Sequence, residues 1–212
     1  MSDIRTATPH RLAVPGMLAI GGLALAGLAH AFTIAESLKG ADAPAEDAGR
    51  EVAFASNFGV STYVSGDTAS GILGAARLLV LVLVIVWLYL ARDNFDRRGD
   101  RSVEWKKGWT IGGWFVPFAN LVIPNRVVAE IHRRSAPDGT WPSDRIINAW
   151  WVALLVSFIG YTETSKYDSG EVIVYSPPFF AVVSGVAGIV AAVLLALIVR
   201  KVSTWQDNIA TS

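Results

Sequence analysis

The sequence contains several runs of about twenty predominantly apolar residues, and this pattern is typical of helices that cross a lipid bilayer. An α-helix rises about 1.5 Å per residue, so a run of this length reaches across a hydrocarbon layer of roughly 30 Å. The chain is 52% hydrophobic and 17% charged, whereas an average soluble domain is about 25% charged. We therefore predict an all-α integral membrane protein, with residues 1–212 forming a single membrane domain.

Four of these runs are long and regular enough to predict transmembrane helices. They occupy about residues 12–34, 71–91, 146–161 and 177–198, with outer loops at 35–70 and 162–176. The first run has an alternative interpretation as a cleaved signal peptide, because Ala29-His30-Ala31 has the small-x-small form of a cleavage site. Its apolar length exceeds the roughly 7–15 residues usual for such a peptide. This favours a retained helix and leaves cleavage open.

The fourth run carries two local features. Ser184 and Gly188 form a small-xxx-small pattern, which permits close packing between helices. The basic pair Arg200 and Lys201 follows the last apolar residues, and we expect the helix to end there.

A fifth apolar stretch, at about residues 109–134, is too interrupted to cross a membrane as a plain helix. Pro117 and Pro124 lack the N–H group that a helix needs. In hydrocarbon, each carbonyl group freed in this way requires a partner within the protein or in water, and the amides of Asn120 and Asn125 are suited to that role. We predict a Trp/Pro-rich helical segment, either interfacial or re-entrant, between helices two and three.

The composition of this segment indicates a platform at the inner surface of the membrane. Three apolar residues recur at helical spacing after Pro124, namely Val127, Val128 and Ile131. This spacing is typical of an amphipathic interfacial helix with proline in its first turn. Three large aromatic residues lie before it: Trp109, Trp114 and Phe115. Tryptophan prefers the headgroup level of a bilayer, which supports the interfacial placement.

The distribution of basic residues predicts the orientation of the helices. Fourteen of the eighteen Lys and Arg residues lie in the N-terminal segment, between helices two and three, or in the C-terminal segment. Positive charge near helix ends marks the cytoplasmic side. Both termini and the central segment are therefore expected to be cytoplasmic, in a multi-pass protein of the plasma membrane. Anionic headgroups of the inner leaflet are the expected lipid partners.

Two charged residues need a separate interpretation. Arg77 lies inside the second helix, where an arginine costs about 2.5–3.5 kcal/mol on insertion scales. We expect it either to extend its side chain towards the outer surface or to act in an ion pair or a pore. Glu130 is expected to form exposed ion pairs with a neighbouring arginine of the amphipathic helix, and such pairs contribute little to stability.

The sequence lacks the residue patterns that carry common enzymatic chemistry. It has no cysteine, which excludes disulfides, thiolate metal sites and cysteine nucleophiles. His10, His30 and His132 are far apart, which argues against a histidine metal cluster. We recognise no nucleophile–base pair and no phosphate-binding loop. No catalytic residue, cofactor or metal is therefore predicted, an enzyme is not expected, and the net charge of zero gives no indication of a nucleic acid partner.

These features favour a membrane structural or interaction protein, such as an accessory subunit or scaffold of a membrane complex. Its partner would be another membrane protein or a second copy of the chain. The alternative is a small channel or transporter that uses Arg77 and the proline-broken segment, because transport sites are often built from discontinuous helices. Ten residues are candidates for interaction or structural roles: Arg77, Trp109, Trp114, Phe115, Pro117, Asn120, Pro124, Asn125, Trp150 and Trp151.

Three parts of the chain resemble one known family. They are VWLYLARDN at Val86–Asn94, WKKGWTIGGWFVPFANLVIPNRVVAEIHRRS at Trp105–Ser135, and the pair Trp150-Trp151. Together they are similar to an actinobacterial membrane-protein family catalogued as domain of unknown function 4328, over roughly residues 76–198. The resemblance implies a multi-helix membrane protein and adds no activity. His132 stands where members often carry Trp, and Leu90 where a basic residue is common.

Overall fold

The computed structural model describes residues 8–39, 50–53, 68–100, 102–159, 162–166, 172–175 and 178–211. In chain order the elements are α1 (Ala13–Lys39), β1 (Arg50–Ala53), α2 (Thr68–Arg97), α3 (Gly108–Gly112), α4 (Ile123–Ser135), α5 (Arg145–Ser157), β2 (Thr162–Lys166), β3 (Val172–Tyr175) and α6 (Pro178–Thr211). A short 3₁₀ helix, Ala119–Leu121, precedes α4. The fold is predominantly helical, as predicted, with a small sheet in addition.

Three of the described helices are long and apolar enough to cross a membrane, judged by length and composition. They are Ala13–Ala35 within α1, Arg77–Arg97 within α2 and Phe179–Ile209 within α6. The third predicted helix, at 146–161, is shorter than expected, because α5 has 13 residues and ends at Ser157. Its length corresponds to roughly 20 Å, which is less than the thickness of the hydrocarbon layer.

The early end of α5 has a local cause. The hydroxyl of Ser157 donates to the carbonyl of Leu154 at 2.6 Å. The amides of Phe158 and Ile159 donate to carbonyls three residues back, at 3.2 and 3.0 Å. Bonds of this spacing tighten the chain into 3₁₀ turns, which rarely continue for long. The expected helix at 146–161 therefore stops before its apolar run is complete.

The expected end of the fourth apolar helix is wrong. Instead of ending at Arg200 and Lys201, α6 continues through both of them to residue 211. The basic side chains are exposed, while Ser203 and Gln206 on another face of the same turns are buried. The helix therefore continues as an amphipathic extension, which a basic pair on the exposed face does not interrupt.

A three-stranded antiparallel sheet joins parts of the two segments predicted as outer loops. In sequence, β1 lies between α1 and α2, while β2 and β3 lie between α5 and α6. Arg50 in β1 is opposite Ser165 in β2, and Glu163 in β2 is opposite Tyr175 in β3. The hydrogen-bonded register brings the two loops together. The rest of loops 35–70 and 162–176 lies in the helix ends or outside the described residues.

The chain divides into two compact units. The first unit comprises Met1–Leu23, Arg77–Ala149 and Leu194–Ser212, and the second comprises Ala24–Ala76 and Trp150–Val193. The first unit therefore contains the three segments that hold most of the basic residues. The second contains the whole sheet.

Within the second unit, two glycines of α6 allow α1 to approach closely. A Cβ atom at Gly188 would lie 2.5 Å from Nε2 of His30, and one at Gly185 would lie 2.5 Å from Cγ1 of Ile34. The predicted packing position at Gly188 is thus in contact with another helix. Gly185, three residues earlier on the same helix face, is a second position of close approach.

Candidate functional site

The carboxylate of Glu130 anchors the start of the central segment. This side chain is 7% exposed, and its oxygens accept hydrogen bonds from the backbone N–H groups of Glu104 at 2.6 Å and Trp105 at 3.0 Å. Arg134, one turn later on α4, donates to the same carboxylate at 3.2 Å. Charge-assisted bonds of this kind are roughly twice as strong as neutral ones. The predicted pairing of Glu130 with a neighbouring arginine is confirmed by Arg134, but the expectation that this pairing is exposed and contributes little is wrong.

Further polar contacts hold the residues that precede α3 to neighbouring helices of the first unit. The guanidinium of Arg134 donates to the backbone carbonyl of Ser102 at 2.6 Å. On the other side, Nε of Arg92 donates to the carbonyl of Trp105 at 2.6 Å. The residues that lead into the central segment are thus fixed to both α2 and α4.

Asp93 on α2 is a second carboxylate, after Glu130, that several basic side chains contact. Its carboxylate accepts hydrogen bonds from Nε of Arg97 at 2.6 Å and from Nζ of Lys107 at 2.7 Å, and Nε2 of His10 lies 3.0 Å away. The hydrogen bond to Asp93 raises the pKa of Lys107 above its ordinary value. Lys107 therefore stays charged, and Asp93 joins α2 to both the N-terminal segment and the entry to α3.

A buried network of amide side chains connects the same elements. Nδ2 of Asn94 donates to Oε1 of Gln206 at 2.8 Å, and Nε2 of Gln206 donates to the hydroxyl of Ser135 at 2.8 Å and the carbonyl of Ala91 at 3.2 Å. Asn94 also bonds the backbone N–H and carbonyl of His10, at 2.6 and 2.9 Å. This network ties α2, α4, α6 and the N-terminal segment into one unit.

The ten residues proposed from the sequence fall into three groups by exposure. Arg77, Trp109, Phe115 and Pro117 are exposed, Trp114, Asn120 and Asn125 are half-buried, and Pro124, Trp150 and Trp151 are buried. Nδ2 of Asn125 lies 3.4 Å from Oδ1 of Asn148, in the first turn of α5. The rings of Trp150 and Trp151 are 5.3 Å apart, so this pair belongs to the interior. The exposed aromatic candidates all lie on the central segment.

Sequence reasoning missed several residues of this region. It gave no role to Asp93, Asn94 or Gln206, although the two amides lie at helical spacing from buried apolar residues of their own helices. That spacing is the signal that could have found them, because a polar residue on a buried face needs a partner. It also left Trp141, whose side chain is 97% exposed, out of the candidate residues.

The adjacent glycines of α3 and the following turn offer a matched test of the packing. A Cβ atom at Gly113 would lie 2.7 Å from the backbone oxygen of Trp109 and 2.8 Å from Cγ2 of Ile123, whereas one at Gly112 would have open space. We expect Gly113→Ala to lower the free energy of unfolding by about 1–3 kcal/mol through overpacking. Gly112→Ala should change it by less than about 1 kcal/mol. Thermal unfolding in detergent measures both; equal effects would contradict this packing.

His132 on α4 is buried without a hydrogen-bond partner. Both ring nitrogens lack one, and the ring packs on Trp205 with centroids 5.3 Å apart. Burial lowers the pKa of His132 below its ordinary value of 6.5, and the positive charges of Lys201 and Arg133 act in the same direction against the opposing effect of Asp144. The folded protein therefore holds this imidazole in its neutral form.

This burial predicts a loss of stability in acid. As the pH falls through about 6.5, the unfolded chain takes up a proton at His132 that the folded chain resists, so the free energy of unfolding decreases with falling pH. We expect His132→Phe to flatten this dependence and to be about 1 kcal/mol more stable at neutral pH, because it removes two unpartnered polar atoms. Thermal midpoints measured between mildly acidic and neutral pH test this. An unchanged slope in the variant would assign the acid sensitivity to other groups.

The comparisons with known proteins identify a family and add no chemistry. Among the described residues, no group of three or more His, Cys, Asp or Glu is placed to hold a metal ion. No curated protein and no solved structure matches the chain. A family described as "Domain of unknown function (DUF4328)" matches residues 61–204, which is more than half of the sequence. The chain therefore belongs to the family of domain of unknown function 4328.

Proposed function

We propose that this protein is a membrane structural or interaction protein, acting as an accessory subunit or scaffold of a membrane complex. One observation carries the proposal. Four buried polar side chains of the first unit, Asp93, Asn94, Glu130 and Gln206, are engaged in holding the fold together, while large apolar side chains of the central segment stay exposed. Exposed apolar surface of this kind is typical of contact with lipid or with another protein.

The arrangement of the segments supports four membrane crossings with both termini in the cytoplasm. The N-terminal, central and C-terminal segments share the first unit, and the two loops that flank them in sequence share one sheet. These three segments also hold most of the Lys and Arg residues, which mark the cytoplasmic side of a membrane, so the proposal has α5 cross as well. Its roughly 20 Å length would be accommodated by adjoining residues or by local thinning of the bilayer.

The basic surface supports contact with anionic lipid at the plasma membrane. The side chains of Arg126, Arg133, Arg145, Arg200 and Lys201 are exposed in the structure. Each basic residue near a negatively charged leaflet contributes about 1 kcal/mol of attraction. This charge, together with the exposed aromatic residues, fits an inner-leaflet platform.

The channel or transporter alternative has weaker support. Arg77 is exposed on α2, a position that suits a long side chain reaching towards the headgroups. No observation among the described residues favours a conducting path through the first unit.

The proposal is tested by isolating the protein from native membranes with its lipids retained. We expect a stoichiometric membrane-protein partner, or a defined oligomer, by cross-linking mass spectrometry and native mass measurement. Trp141→Ala is the sharpest variant, since this 97% exposed side chain can be removed without disturbing the interior. Thr140→Ala, on the neighbouring exposed residue, is the control. We expect the partner or oligomer to be lost in Trp141→Ala and kept in the control. A lone, monodisperse monomer from the unmodified protein would count against an interaction role.

A further inference from the structure

The two ends of the central segment lie close together in the structure. Ser102, before it, accepts a hydrogen bond from Arg134 near the end of α4, and the amide of Trp105 donates to Glu130 on the same helix at 3.0 Å. A segment that crossed a bilayer would have its two ends roughly 30 Å apart. The segment between Trp105 and Glu130 is therefore a hairpin that returns to its starting side.

The direction in which this hairpin points follows from its contacts with the start of α5. Arg133 forms an ion pair with Asp144 just before α5, whereas Asn125, near the start of α4, reaches Asn148 inside α5. The two helices are thus antiparallel, and the eight steps from residue 125 to residue 133 correspond to roughly 12 Å of rise. Because the start of α4 lies beside the interior of α5, the tip of the hairpin lies beyond Asn125. It therefore points in the same direction as α5 runs from its first residue to its last.

The tip has an apolar surface with basic residues at its base. From Gly108 to Asn125 the chain carries no charged residue, while the exposed Lys106 precedes this range and the exposed Arg126 follows it; Lys107 is ion-paired with Asp93. Phe118 is 85% exposed and Phe115 is 65% exposed. An uncharged, aromatic tip with a basic collar is complementary to a leaflet that has an apolar interior and anionic headgroups.

The backbone of the tip suits an environment without water. Eight N–H groups between Gly113 and Val122 donate to carbonyls within the segment 109–122, at 2.8 to 3.2 Å. Pro117, at the centre, has no N–H group to satisfy. In hydrocarbon an unpaired backbone group costs several kcal/mol, so irregular segments rarely tolerate contact with lipid. This segment meets most of that requirement by consecutive tight turns.

Phe118 occupies a strained position at the tip. Its φ is 63° and its ψ is −37°, and the amide of Ala119 donates to the carbonyl of Pro117 across it at 2.8 Å. This is a γ-turn with positive φ, a rare conformation that is unfavourable for a bulky side chain. Because the side chain is almost fully exposed, packing within the chain does not compensate for the strain. Burial of the Phe118 ring in an apolar environment outside the chain would compensate for this strain.

We propose that residues 109–122 form a re-entrant wedge whose tip, led by Phe118, inserts among the acyl chains of the cytoplasmic leaflet without crossing the bilayer. This inference rests on the proposed membrane function and specifies which surface of the protein is in contact with lipid. Arg126 sets the depth, because its guanidinium has to reach back to the phosphate level. The tip therefore lies roughly 5–10 Å below the headgroups, as interfacial helices do.

The absence of cysteine from the natural sequence allows a direct test. Single-cysteine variants Phe118→Cys, Leu79→Cys and Asp138→Cys are labelled with an environment-sensitive fluorophore in full-length protein. The protein is reconstituted in phosphatidylcholine vesicles containing a minority of phosphatidylglycerol. Leu79, exposed within the apolar part of α2, reports the lipid environment, and Asp138, in the exposed loop after α4, reports water.

We expect the label at Phe118 to be quenched severalfold more by lipid with a nitroxide near the top of the acyl chain than the label at Asp138. A water-like Phe118 label beside a lipid-like Leu79 label would overturn the wedge and leave the membrane proposal standing. A water-like label at Leu79 would overturn both. Stronger quenching of Phe118 by a nitroxide at the end of the acyl chain would indicate a crossing and overturn the shallow wedge. A Phe118 label that is protected from both lipid and water would overturn the wedge and indicate that this surface contacts another protein.

A second variant separates insertion from folding. Phe118→Gly relieves the positive φ, because glycine adopts it without strain, so the fold is retained. We label Phe115→Cys with and without the Phe118→Gly change. The shallow nitroxide lipid should quench the label severalfold less when Phe118 is replaced by Gly. Unchanged quenching would overturn the leading role of Phe118.

Discussion

Replacement of Glu130 by alanine is expected to lower the free energy of unfolding by about 3 kcal/mol or more. The variant would leave the part-buried N–H groups of Glu104 and Trp105 without this acceptor and Arg134 without its carboxylate. Removing one partner of a buried charged contact typically costs about 3–5 kcal/mol. The loss is large because one side chain fixes both ends of the hairpin.

The measurement is thermal or denaturant unfolding of the purified protein in detergent, followed by tryptophan fluorescence. Arg126→Ala, an exposed position on the same helix, is the control and should change stability by less than about 0.5 kcal/mol. Glu130→Gln should fall between the two, since its amide keeps one acceptor oxygen. Similar values for Glu130→Ala and Arg126→Ala would show that the carboxylate does not anchor the segment.

Gln206→Leu is expected to cost about 2–4 kcal/mol, although it places a more apolar residue in a buried position. The leucine would remove the hydrogen bonds to the hydroxyl of Ser135 and the carbonyl of Ala91, and one of the two bonds donated by Nδ2 of Asn94, which keeps its bond to His10. A buried polar group left unsatisfied typically costs about 1–3 kcal/mol. Stability therefore depends on the completeness of the network rather than on the hydrophobicity of this side chain.

A double-mutant cycle with Asn94→Leu separates the network from simple packing. Because the two amides bond each other at 2.8 Å, the double variant should be less destabilised than the sum of the single variants. Thr204→Ala, exposed on the same turn of α6, should be close to neutral. Strict additivity of the two network variants would contradict the direct coupling between Asn94 and Gln206.

Part of the candidate site could be predicted from residue type alone. Pro117 and Pro124 excluded a plain helix, and the exposed Trp109 and Phe115 were chosen because large aromatic residues in an apolar segment suit a membrane surface. Trp150 and Trp151 were chosen by the same reasoning and are buried. Residue type indicates that an aromatic side chain prefers an apolar environment, but it does not distinguish the interior of the protein from lipid.

The polar anchors could not be found in the same way. Glu130 bonds amides 25 and 26 residues away, and Gln206 bonds residues 71 and 112 positions away. Such partners are set by the packing of helices, and neither composition nor spacing along one helix specifies them. The same packing carries α6 past Lys201, since Gln206 is held inside the first unit.

By itself, the sequence determined which segments are apolar enough to lie in a membrane and where proline interrupts them, because hydropathy and the missing N–H belong to individual residues. Only the tertiary structure decided that the interrupted segment is a hairpin closed by Glu130, and that Phe118 stands exposed and strained at its tip. The physical reason is that a buried polar group takes whichever partner the folded chain brings within hydrogen-bond distance, and that partner lies far away in sequence.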